Sequence, residues 1–300
     1  MSQLRYLGLS GNSFSGALPF QVGNLPYLQT LRLTGDFDVK PKDADWLSSL
    51  SSLTHLAIDG LHNPDWLHMI HYPKLRELRL VDCSLSDTHI HSLFYSPSNF
   101  SNSLTILDLS YNMLTSSTFQ LLSNFSLNLQ ELYLSHNNIV LSSPVHSTFP
   151  SLVILDLSHN MLTSSTFQLL SNFSLNLQEL YLSDNNIVLS SPVHKTFPSL
   201  VILDFSYNKM TSLVFQGIFN FSSKLQNLYL QNCSLGHDSF LMSAISITNS
   251  SSSLVSLDLS SNLLKSSSIF YWLSNSTTNL CILELFDNML EGPFQMDLGK

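Results

Sequence analysis

Residues 114–135 read LTSSTFQLLSNFSLNLQELYLS, and residues 162–183 read the same. The identity belongs to a 48-residue block. Residues 104–151 and 152–199 differ only at Thr105/Val153, Tyr111/His159, His136/Asp184 and Ser147/Lys195. A catalytic centre is rarely needed twice. A structural unit that stacks on copies of itself is readily lengthened by duplication in register. Each block divides into two units that open LxxLxL, and this opening recurs along the whole chain. Units start at Leu4, Leu28, Leu53, Leu75, Leu104, Leu129, Leu152, Leu177, Leu200, Leu225, Leu254 and Leu280, at spacings of 22–29 residues. The expectation is one repeat domain of about twelve units over residues 1–300.

The pattern dictates the local structure. Side chains alternate between the two faces of a strand, so Leu107 and Leu109 share the inward face and Ile106, Asp108 and Ser110 point out. One unit cannot bury its own leucines, so neighbours must stack. The predicted fold is an α/β solenoid with a curved parallel sheet on the concave face and short helical or irregular segments on the convex side. Each buried Leu contributes roughly 1.5–3 kcal/mol, so cohesion is spread over many similar contacts. Where the chain turns back after each strand its amides and carbonyls need partners, and a ladder of Asn side chains is placed to supply them: Asn12, Asn112, Asn137, Asn160, Asn185, Asn208, Asn262 and Asn288. Asp36 falls at this position in the second unit, Leu61 interrupts it in the third, and Cys83 and Cys233 occupy it in two others. Cys281, after the first Leu of the last unit, is expected to be packed.

Composition narrows the function. A hydrophobic content of 44% supports a core, while only 11% of residues are charged, with a formal net charge of −9. That balance argues against nucleic acid, whose phosphates require a basic patch. No run of 18 apolar residues marks a membrane span, and the start MSQLRYLGLSGNS has no continuous apolar region of the kind a signal peptide carries. The three cysteines have no CxxC spacing. GxSxG, HExxH, GxxxxGK[ST] and GxGxxG are all missing, so no catalytic residue, metal or cofactor is assigned. HMIH at 68–71 and HIH at 89–91 lack a third ligand placed by sequence and read as solvated loop histidines.

The outward faces of the strands are more informative. Between the second and third leucines the chain reads Asp108, Tyr133, Asp156, Tyr181, Asp204, Tyr229, Asp258 and Glu284, acid alternating with aromatic. One column earlier stand Ile106, Glu131, Ile154, Glu179 and Ile202; beside the Asn ladder stand Tyr111, His136, His159, Asp184 and Tyr207. Exposed aromatics on a concave face favour protein recognition, and alternating carboxylates favour basic or hydroxyl-rich ligands. Asp108, Tyr111, Glu131, Tyr133, His136, Asp156, His159, Glu179, Tyr181, Asp184, Asp204, Tyr207 and Tyr229 are therefore the candidate ligand-binding residues. His136 and His159 fall at equivalent places of successive strands and suggest a pH-sensitive contact. Carboxylate rows suit glycosidases too, but a solvated open strip gives no carboxyl the raised pKa such chemistry needs. N-x-S/T sequons occur at Asn99, Asn124, Asn172, Asn220, Asn249 and Asn275, each five residues before the next unit's first Leu, which would set glycans along one ridge. A seventh, Asn232, lies beside a strand.

The repeat, LxxLxLxxN/CxL, is the leucine-rich-repeat signature. The first unit, LRYLGLSGNSFSGALPFQVGNLPY, and the last, LCILELFDNMLEGPFQMDLGK, resemble the extracellular repeats of plant cell-surface receptors. DADWLSSLSSL and NPDWLHMIHYPKLRELRLVDCSL, within 43–85, look like the DWL segment of receptor-like proteins in the fungal-xylanase-receptor class. The middle units depart from that pattern, carrying SSTFQLLSNFS in place of the Gly-x-Ile-Pro half. The resemblance implies a ligand-recognition ectodomain at the plasma membrane, on its extracellular side, acting in defence signalling. Its partners would be a secreted protein or peptide and, for the full-length protein, a co-receptor kinase. Terminal caps, a membrane helix and a kinase are not found, so the chain reads as an internal piece of such a receptor, with membrane attachment left to a segment outside it. A secreted inhibitor of cell-wall-degrading enzymes and the ectodomain of a receptor kinase are the alternatives.

Overall fold

The computed structural model describes residues 3–17, 20–38, 41–95, 103–124, 128–141, 149–170, 175–190, 197–211, 214–215, 218, 222–236, 238–241, 253–265, 269–270 and 279–292. The chain forms two compact units. One comprises Met1–Ile139 with Val145–Leu152, the other Val140–Pro144 with Val153–Lys300. The division falls within the duplicated region, so most of each copy lies in a different unit.

The first unit is a parallel sheet built in chain order from β1 (Tyr6–Gly8), β3 (Thr30–Asp38), β4 (His55–His62), β5 (Glu77–Val81), β6 (Ile106–Asp108) and β7 (Glu131–Tyr133), with β2 (Phe14–Gly16) paired to the far end of β3. The register is in phase with the repeat: Leu31, Leu56, Leu78, Leu107 and Leu132 are successive partners, and all are buried. The return segments carry short 3-10 turns, then α1 (Asp87–Tyr95) and α2 (Ser116–Asn124). Apolar side chains fill the space between sheet and return segments, among them Trp66, Tyr72, Phe119 and Phe149. The Phe119 and Phe149 rings meet edge to face at 5.5 Å. Tyr72 donates its hydroxyl to the Leu47 carbonyl at 2.6 Å, and burial raises its pKa.

The second unit repeats the plan with β8 (Ile154–Asp156), β9 (Glu179–Tyr181), β11 (Ile202–Asp204), β13 (Asn227–Tyr229), β14 (Ser256–Asp258) and β15 (Ile282–Glu284), all parallel. A minor parallel pair, β10 (Val188–Leu189) with β12 (Lys209–Met210), lies on the return side. Helical turns are α3 (Ser164–Leu170) and α4 (Asp238–Leu241). These elements match the predicted solenoid of short strands and short helical returns.

The Asn ladder works as the spacing predicts. Asn112 donates Nδ2 to the carbonyls of Leu109 (3.0 Å) and Ser110 (3.0 Å) in its own turn and of Leu80 (2.8 Å) in the preceding one. Its Oδ1 accepts from the amides of Cys83 and Leu85 at 3.1 and 2.9 Å. Asn137, Asn185, Asn208, Asn262 and Asn288 make the same own-turn and preceding-turn bonds. Asn160 donates to Leu157 and Ser158, and Asn12 to Leu9 and Ser10. The residue before each ladder Asn or Cys is held at positive φ in Asp82, Tyr111, His136, His159, Asp184, Tyr207, Asn232, Ser261 and Asp287. At the two Cys positions the following Ser84 and Ser234 are left-handed as well.

Two expectations are corrected. Asp36 does not join the ladder. β3 runs on as a strand through that position, with a register shift against β4 between Thr34 and Phe37, and the Asp36 side chain is 84% exposed. One residue before the matching place in β4, Gly60 has φ +75, and a Cβ there would stand 2.0 Å from the Gly35 carbonyl oxygen, so this close strand approach requires glycine. Cys281 is not packed but exposed. It lies just ahead of β15, on a unit where Ile282 and Glu284 are also exposed. Cys83 and Cys233 are buried as free thiols, and burial pushes both up to about 12. A disulfide-exchange reagent at pH 8 should therefore titrate one thiol in the native protein and three after denaturation, with Cys281→Ser abolishing the native reaction. Fast native reaction of two or more thiols would contradict this burial.

Candidate functional site

In the first unit the outward column of the sheet is a charge network. Arg32 on β3, Arg79 on β5, Asp108 on β6 and Tyr133 on β7 share the position between the second and third leucines; Ala57 holds it on β4. Glu77 stands one column earlier. Arg79 Nε donates to Glu77 Oε1 at 2.6 Å and its Nη1 to Asp108 Oδ2 at 3.1 Å. Arg32 Nη2 reaches the other flank of Glu77 at 3.3 Å. The Arg79 guanidinium also lies over the Tyr133 ring, 5.4 Å from its centre, a cation–π contact. Tyr133 in turn donates to Glu131 Oε2 at 3.0 Å. Asp108 is thus buried rather than open and solvated as the alternation alone suggests. Burial, then the charges of Asp82 and Asp108, raise the pKa of nearby Asp59. Arg32, Glu77 and Arg79 were not among the predicted site residues. Their signal is in the sequence, since each stands in the same two columns, but the alternation of acid with aromatic begins only at Asp108 and leaves the earlier strands outside it.

The second unit has the same acid–aromatic column without arginine. Tyr181, Asp204, Tyr229 and Asp258 are direct partners on β9, β11, β13 and β14. Asp156, Asp204 and Asp258 each accept from the amide of the following outward serine, Ser158, Ser206 and Ser260, at 2.9, 3.0 and 2.9 Å. This bond fixes one carboxylate oxygen and orients the other. Tyr181 donates to Glu179 at 2.8 Å, as Tyr133 does to Glu131. A cleft of about 390 Å³ opens over this surface, lined by His159, Ser183, Asp184, Asp204, Ser206, Tyr207, Tyr229, Gln231 and Asp258. It contains three carboxylates and two phenols, and no Lys or Arg is among its lining residues. A second cleft of about 420 Å³ lies on the loop side, where Lys209 faces Asp184, Tyr207 and Asn232.

The column beside the ladder shows what the duplication changed. Tyr111 stacks on His136 with ring centres 3.9 Å apart and planes 15° from parallel. At the equivalent pair in the other copy His159 Nδ1 lies 2.9 Å from Asp184 Oδ2. Two of the four differences between the copies are therefore partners in one contact, an aromatic stack in one copy and an imidazole–carboxylate pair in the other.

Other candidates are placed as follows. His89 accepts from the Ser86 amide at 3.0 Å and His91 stacks on Tyr95 at 4.0 Å, so both belong to local helix structure. Ser84 Oγ, His62 Nδ1 and Asp36 succeed one another at 3.2 and 3.7 Å. The second distance is too long for a hydrogen bond and both His62 and Asp36 are widely exposed, so the arrangement does not activate the serine. Asn232 is exposed. Asn124 ends α2, and Asn99, Asn172, Asn220, Asn249 and Asn275 lie outside the described residues. Among the described residues no helix is long and apolar enough to cross a membrane.

Comparison with known proteins agrees with this geometry. The Leucine Rich Repeat family matches residues 3–25, 103–125, 128–150, 151–173 and 176–197. Receptor-like protein EIX1 of tomato, Solanum lycopersicum, is 35% identical over 147 residues, 46% of this chain and 14% of that protein. The chain thus corresponds to a small part of that relative's length. Among solved structures, an internalin of Listeria monocytogenes superposes with a TM-score of 0.67 at 22% identity, over 97% of this chain and 76% of that one. The ectodomain of the Arabidopsis thaliana receptor kinase GASSHO1/SCHENGEN3, solved with CASPARIAN STRIP INTEGRITY FACTOR 2, gives 0.50 at 20% identity, over 99% of this chain and 46% of that one. At such identities the structural likeness establishes the fold.

Proposed function

We propose, from the leucine-rich-repeat matches and the likeness to a plant receptor-like protein, that the chain is a ligand-recognition ectodomain. It binds a secreted protein or peptide on the outward face of its sheet. The single observation that carries this reading is the cleft over β11, β13 and β14, where carboxylates and tyrosines converge on rigid strands. Side chains on strands are held by the register, so they form a prepared surface rather than a mobile one, and prepared aromatic surfaces bind at low entropic cost. With the resemblance of its repeats to those of plant cell-surface receptors, this reading places the protein on the extracellular side of the plasma membrane, in defence signalling. In that setting the protein is glycosylated at its N-x-S/T sequons and works with a co-receptor kinase.

The test is site-directed photocrosslinking. The chain is secreted with p-benzoylphenylalanine at Tyr207, which is 45% exposed on the cleft wall, or at Leu175, 76% exposed on a return segment. Each is irradiated in leaf apoplastic fluid. Discrete protein or peptide adducts from position 207 and none from 175 are expected. Equal adducts from both, or none from 207, would overturn recognition by this face.

A further inference from the structure

We propose that the cleft of the second unit is a seat for a guanidinium group, so that the ligand is recognised through an arginine side chain. The inference rests on the proposed recognition function and deepens it. Its argument is internal to the molecule. In the first unit, Asp108 and Tyr133 are direct partners on adjacent strands and jointly hold a guanidinium: Arg79 bonds Asp108 at 3.1 Å and covers the Tyr133 face at 5.4 Å. In the second unit Asp204 and Tyr229 are partners in the same register. The column position that Arg79 fills ahead of Asp108 is filled by Tyr181 ahead of Asp204. The receptor lattice is therefore repeated and the cation is not. Asp258 then stands on the far side of Tyr229, placing a carboxylate on each flank of the ring.

The chemistry selects arginine over lysine. The Ser206 and Ser260 amides hold one oxygen of Asp204 and Asp258, which leaves each carboxylate presented in a fixed orientation to a planar fork of donors. Guanidinium stacks flat on a phenol ring while donating in its own plane, whereas an ammonium does neither. Charge complementarity also fits the occupant, since the cleft lining carries three carboxylates and no Lys or Arg within a chain of net charge −9.

The probes are acetylated hexa-arginine amide and its hexa-lysine counterpart, titrated into the full chain by fluorescence anisotropy at low ionic strength. Hexa-arginine is expected to bind at least fivefold more tightly than hexa-lysine. Asp204→Asn should weaken hexa-arginine at least fivefold, and Tyr229→Leu should bring the two peptides within twofold of each other. Asp45→Asn, an equal charge change at an exposed site on a 3-10 turn, should shift neither by more than twofold. Circular dichroism melting checks that each variant is folded; Tyr229→Phe, which keeps the ring, should retain the preference and covers failure of the Leu variant. Equal binding of both peptides, or equal losses in Asp204→Asn and Asp45→Asn, would reduce the effect to diffuse attraction and overturn the guanidinium seat. Adducts from position 207 would still stand in that case, so the two readings fail separately.

Discussion

Replacing Asn112 by Ala should be among the most damaging single changes in the chain, costing about 4 kcal/mol. Its amide satisfies three carbonyls and two amides at buried positions, in its own turn and in the one before. Alanine leaves all five without that partner, and each stranded buried group costs roughly 1–3 kcal/mol, reduced where a carbonyl keeps a second acceptor bond. Asn112→Asp should be nearly as harmful, because a carboxylate cannot donate to three carbonyls. Asn12 makes only two such bonds in an exposed turn, and Asn12→Ala should cost under about 1 kcal/mol. Urea unfolding midpoints compare the pair. Similar small losses at both sites would show that the ladder is dispensable and that leucine packing alone holds the turns.

Glu77→Ala should cost about 3 kcal/mol, by a different route. The Glu77 side chain is 7% exposed and lies between Arg32 and Arg79. Removing it leaves two guanidiniums facing each other across a half-buried site, and breaking a buried pair from one side is far costlier than replacing the whole cluster by apolar groups. The combined change Arg32→Met, Glu77→Leu and Arg79→Met should accordingly be less destabilising than Glu77→Ala alone. Arg79→Lys should show a smaller loss, since lysine keeps the charge but cannot bond Glu77 and Asp108 together while covering Tyr133. Thermal melts at low and high salt measure all three. A triple variant less stable than Glu77→Ala would mean the ion network itself carries the stability.

The sequence by itself determined the repeat and nearly everything that follows from its period. An LxxLxL opening every 22–29 residues leaves stacking as the only way to bury the leucines, so strand positions, sheet polarity and the ladder of Asn112 to Asn288 were readable from spacing alone. Strand alternation also put Asp204 beside Tyr229 and Tyr181, which is why part of the candidate site was legible. Alternation tells only which way a side chain leaves the backbone, not what meets it there. Whether Asp108 is solvated depends on how far Arg79 reaches from the next strand. Whether Tyr111 faces His136 depends on two turns lying in van der Waals contact after twenty-four residues of intervening chain. Asp36 and Cys281 were misread for the same reason: one sits where β3 refuses to turn, the other just ahead of β15, on a unit whose strand residues Ile282 and Glu284 are themselves exposed. Tertiary structure alone decided which acids were already neutralised from within and which still face outward, because long side chains choose partners by distance across strands, and distance is not written in the order of residues.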